Sequence, residues 1–113
     1  MKILYVITGL AQGGAERVVC DLADKMYEKG NEVKIAYLTG NVLTKPRYQE
    51  IELIKINLNS LLLFPLAYIK LSKIIKNFEP DVVHSHMVHA NIFTRLVRIT
   101  TSIKKLICTA HNS

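Results

Sequence analysis

The chain has 113 residues, half of them hydrophobic, and carries a net charge of +6. That length holds at most one domain, and that composition builds a core rather than a disordered segment. Two cysteines make no disulfide framework and no C-x-x-C metal pair, no apolar run approaches a membrane span, and the N-terminal run is too short for a secretory leader, so a cytoplasmic protein is expected.

The first predicted element is a strand over about 3–8. Ile3-Leu4-Tyr5-Val6-Ile7-Thr8 is a continuous apolar run with β-branched residues, the pattern of a strand buried on both faces of a parallel sheet. A helix is predicted over about 14–29. Ala15, Val18, Val19, Leu22, Ala23, Met26 and Tyr27 recur at steps of three and four, which marks one helix face, and Gly30-Asn31 closes it as a C-terminal cap. Val33–Leu38 reads as the second strand and Glu52–Asn57 as a short third. A second helix begins near Pro65, a residue suited to a first helical turn, and ends before Pro80. Asp81–His86 is the fourth strand. A helix over about 90–101 and a fifth strand over Lys105–Ala110 complete the chain. Strand–helix alternation at this spacing predicts an α/β, Rossmann-like parallel sheet flanked by helices, in the order 3-2-1-4-5.

The join between the first strand and the first helix is Gly13-Gly14-Ala15-Glu16. Paired glycines there let backbone N–H groups approach a ligand with no Cβ in the way, and the helix N-terminus adds partial positive charge. A tight strand-to-helix turn asks for the same residues on steric grounds alone. The spacing is not G-x-G-x-x-G, the second strand does not end in an acid, and no P-loop motif is present, so neither a dinucleotide fold nor a P-loop enzyme is indicated.

All four histidines, His84, His86, His89 and His111, fall at or just beyond strand ends. Side chains alternate along a strand, so His84 and His86 share a face, with His86 nearer the rim. Three readings stay open. His84-Ser85-His86-Met87-Val88-His89 resembles the H-x-H-x-D-H pattern of zinc hydrolases, but Val88 stands where the acid should be. His84 in particular suits a hydrogen-bonded core position. The imidazoles also suit recognition of sugar hydroxyls and phosphate oxygens, or steadying of charge during transfer. The run Leu61-Leu62-Leu63-Phe64-Pro65-Leu66 and the lysines after it read either as an interfacial membrane anchor or as a helix covering the sheet with its lysines outside. The lysines form no basic stripe interleaved with aromatics, so no nucleic-acid partner is expected.

Taken together, Gly13-Gly14-Ala15-Glu16, Pro80-Asp81-Val82-Val83-His84-Ser85-His86 and Thr109-Ala110-His111-Asn112 resemble the N-terminal domain of family 4 retaining glycosyltransferases, enzymes of the two-domain GT-B architecture. The match looks closest to bacterial members that build surface polysaccharides or lipid-linked oligosaccharides. The resemblance implies sugar transfer from a nucleotide-sugar donor to a glycan or lipid-linked acceptor, with retention and without a metal or other cofactor. It makes His86 the catalytic candidate, and Gly13, Gly14, Glu16, His89, His111 and Asn112 the substrate-binding set. It also makes residues 1–113 an incomplete, acceptor-side N-terminal domain, lacking the C-terminal domain that binds the nucleotide. On that expectation the isolated chain is inactive. Peripheral contact with the inner membrane face, and an oligomer that covers the open edge of the sheet, are further expectations. Two other functions compete: a non-catalytic module that pairs with a separate C-terminal half, and a different α/β enzyme such as a metal-dependent hydrolase.

Overall fold

The computed structural model describes residues 1–9, 14–39, 44–57, 61–86 and 105–109. Five strands form one parallel sheet: β1 (Lys2–Gly9), β2 (Glu32–Thr39), β3 (Glu52–Lys55), β4 (Val82–His86) and β5 (Leu106–Thr109). Their order is β3-β2-β1-β4-β5, as the alternation predicts. Helix α1 (Gly14–Glu28) follows β1, and α2 (Phe64–Phe78) follows β3 after a 3₁₀ turn at Leu61–Leu63. The helix expected over 90–101 lies outside the described residues.

Period two along β1 divides the core into two layers. Leu4 and Val6 face α2, in a cluster with Ala36, Leu38, Ala67, Leu71, Ile75, Phe78 and Val83. Ile3, Tyr5 and Ile7 face α1, with Val19, Cys20, Ala23, Val33, Ile35 and Tyr37. A strand covered by a helix on each side must be apolar at every position, which is why β1 shows no polar alternation. The buried stripe of α1 runs through Glu16, Val19, Cys20 and Ala23, whereas Val18 is 43 % exposed. The expected face is therefore corrected at Val18. At 100° per residue Val18 lies on the far flank of Val19, and Cys20 takes its place in the core.

Backbone hydrogen bonds outside the ladders set the register. The Lys2 N–H donates to Asp81 Oδ2 at 2.9 Å. The Asp81 N–H donates to the Lys2 carbonyl at 2.8 Å. This reciprocal pair places β4 beside β1 with Ile7 opposite His86. Helix α1 ends in a Schellman motif: the N–H of Gly30, at φ 93°, donates to the Tyr27 carbonyl, and that of Asn31 to the Met26 carbonyl. Helix α2 ends on Glu79, a left-handed residue at φ 51° and ψ 58° whose N–H donates to the Ile75 carbonyl. An L-residue with a Cβ is strained in that conformation and glycine is not. Glu79→Gly should therefore raise unfolding stability by about 0.5–1 kcal/mol, part of the relief being lost to the freer unfolded chain. Urea denaturation measures this, and a destabilised variant would refute the strain.

Cys20 is 1 % exposed. Burial, aided by the Asp24 charge, pushes its thiol up from 9.0 to about 11. The thiolate is the reactive form. At pH 8 native Cys20 should resist alkylation, reacting rapidly only once denatured. Peptide mapping after iodoacetamide treatment reads this out; rapid native labelling of Cys20 would contradict it.

Candidate functional site

The strand order changes direction beside β1. From β1 the chain builds outward through β2 to β3, then crosses back to lay β4 on the other flank of β1 and β5 beyond it. Helices on opposite faces diverge where such a reversal occurs, leaving a crevice beyond the carboxyl ends of the two central strands. Those ends are Gly9 of β1 and His86 of β4.

His86 sits within this edge. It pairs in register with Ile7 on one side and Thr109 on the other. His84 lies two residues back on the same face, opposite Tyr5 and Ile107. The two imidazole centroids are 4.0 Å apart, and the Tyr5 ring lies 5.6 Å from that of His84 and 6.0 Å from that of His86. Tyr5 belongs to the layer under α1, so the histidine pair faces the side of the sheet on which α1 packs. Sequence reasoning did not single out Tyr5. Its period-two position on β1 was legible, but its neighbours across the ladder depend on the register of β1 and β4. Burial pushes the Tyr5 hydroxyl above its ordinary value of 10.0, so it remains a protonated donor at neutral pH.

The burial of the two histidines is the reverse of the expected one. His86 is 1 % exposed, whereas His84 is half-buried. The reason lies in the neighbours. His84 is flanked on β5 by Ile107, itself 37 % exposed, so its β5 side is open to water even though Tyr5 on its other side is buried.

Gly14 opens α1, placing the start of that helix just beyond the carboxyl end of β1. Its first turn carries Glu16, which is 8 % exposed and lies on the buried stripe of the helix. A carboxylate in a first turn is favoured by the partial positive charge of the helix end. The spacing of Glu16, Val19, Cys20 and Ala23 was the available signal for its burial. His86 and Glu16 are thus two buried polar groups on the α1 side at the carboxyl edge, one a nitrogen base or donor, the other an acceptor. Gly13, His89, His111 and Asn112 lie outside the described residues.

Among the described residues no group of three or more His, Cys, Asp or Glu side chains is placed to hold a metal ion. No helix among them is long and apolar enough to cross a membrane. Residues 12–113 match the family model described as Glycosyltransferase Family 4. No curated protein matches the chain.

Proposed function

The chain belongs to glycosyltransferase family 4, and from that premise we propose that it forms the acceptor side of a retaining transferase that moves a sugar from a nucleotide-sugar donor to a glycan or lipid-linked acceptor at a membrane surface. The observation that supports this best is that two polar side chains, His86 at the end of β4 and Glu16 in the first turn of α1, are both buried at the carboxyl edge beside the reversal of strand order. In this reading the turn at Gly13 and Gly14 brings backbone N–H groups to the anionic or hydroxyl-rich ligand. Glu16 accepts from acceptor hydroxyls. His89, His111 and Asn112 extend the rim, and His86 donates to the reacting sugar as charge develops. The nucleotide is a co-substrate held mainly by a second, donor-binding domain, and no metal enters the scheme. Family membership favours a transferase over the hydrolase that the histidine spacing also suggests.

Transfer needs donor and acceptor held in one closed cleft. The purified chain should therefore bind acceptor fragments without consuming a donor. In NMR titrations, glycan or lipid-linked acceptor fragments should shift the resonances of Gly14, Glu16 and His86. A panel of nucleotide sugars should remain intact. Acceptor shifts clustered elsewhere would remove the site. Turnover of a nucleotide sugar by residues 1–113 alone would overturn the division of labour.

A further inference from the structure

Helix α2 uses only half of its circumference to cover the sheet. Ala67, Leu71, Ile75 and Phe78 are buried against β1, β2 and β4. The opposite face carries large apolar side chains in the open, Leu66 at 66 % and Ile69 at 50 % exposure, and Leu62, in the 3₁₀ turn that leads into the helix, is 90 % exposed. A spacing of three sets Leu66 and Ile69 on one ridge of α2, which Leu62 precedes in the chain. Lys70, Lys73 and Lys76, all exposed, continue the same surface toward the end of the helix. Beside them Tyr68, Ile69, Ser72, Lys73 and Lys76 line a shallow hollow. Ser72 is only 9 % exposed, and its Oγ has no hydrogen-bond partner among the described residues. The Ser72 Oγ is enclosed by the protein and is not open to the hollow.

We propose that this face of α2 docks on an anionic phospholipid bilayer. Leu62, Leu66 and Ile69 enter the headgroup–acyl boundary, and the three lysines meet lipid phosphates. Charge selects this occupant. An apolar ridge continued by three cations, on a chain of net charge +6, matches a negative lipid surface better than it matches a second copy of the same basic ridge. The docking deepens the proposed function, because it would hold the carboxyl-edge site where a lipid-linked acceptor resides. Its test is nevertheless independent of any transfer.

The test is co-sedimentation of the protein with vesicles of phosphatidylcholine alone and with about one third phosphatidylglycerol, with circular dichroism as the folding control. The wild type should bind the mixed vesicles and bind the neutral ones far more weakly. Added salt should weaken the binding. Replacing Lys70, Lys73 and Lys76 together by alanine should weaken it by on the order of 100-fold, about fivefold per lysine. Leu66→Asp with Ile69→Asp should abolish it without unfolding the chain, since both side chains are exposed. Equal binding to both vesicle types, no binding to either, or variants that bind like the wild type would overturn the proposal. So would self-association in ultracentrifugation, abolished by the same aspartates, in a protein that ignores vesicles. Acceptor shifts at Gly14, Glu16 and His86 in a protein that fails to bind vesicles would reject the docking and leave the acceptor reading standing.

Discussion

If His86 has the proposed role, His86→Ala is expected to lower kcat by roughly 10²–10³ when the chain works with the proposed donor-binding domain, the scale for losing one preorganised donor to developing charge. The KM for acceptor should change little, because an interaction made mainly in the transition state contributes little to ground-state binding. His86 is buried and shares a face with Tyr5 and His84, so its removal also leaves a packing defect. The loss must therefore be measured at a temperature where circular dichroism finds the variant folded. His84→Ala is the comparator. It removes the same ring from the same face two residues earlier, at a half-buried position. It should destabilise modestly, by about 1 kcal/mol, and leave kcat near that of the parent. Unchanged kcat in the His86 variant, or a folded but inactive His84 variant, would mean that the chemical and structural roles are assigned to the wrong members of the pair.

Leu71→Ala is expected to cost about 3–5 kcal/mol of unfolding free energy. Leu71 is 0 % exposed, in the cluster that joins α2 to Leu4, Val6 and Val83. Truncating a buried leucine loses its transfer free energy and leaves a cavity that the surrounding strands cannot fill. Against a total stability of about 5–15 kcal/mol, that is a large fraction. Leu66→Ala, five residues earlier and 66 % exposed, should change stability by less than about 0.5 kcal/mol. Urea denaturation of the two variants measures the contrast. Equal effects would mean that α2 is not docked by the face described here, and the exposed ridge argued above would lose its basis.

The five strands, their order and the helices α1 and α2 followed from local chemistry. β1 is apolar from Ile3 to Ile7 because helices cover both of its faces, and Pro65 and Pro80 bracket α2 because proline lacks an N–H and restricts its neighbour. Alternation of strands and helices, with crossovers of one hand, leaves few sheet orders open. The positions of Gly14 and Glu16 at the start of α1 and of His86 at the end of β4 were readable in the same way, and so was the shared face of His84 and His86. Their burial was not. Whether His84 or His86 is enclosed depends on which residues lie opposite across the β1–β4 and β4–β5 ladders, and that register is set by long-range bonds such as the one between Lys2 and Asp81. Tyr5 could not be placed under the histidine pair until β4 was laid beside β1. For the same reason the apolar run at Leu61–Leu66 fitted either a core helix or a membrane-facing one. Only packing against the sheet divided it, burying Ala67 and Leu71 while leaving Leu62 and Leu66 in the open. Periodicity shows that a helix has an apolar stripe, but which residues leave water depends on the surface it meets.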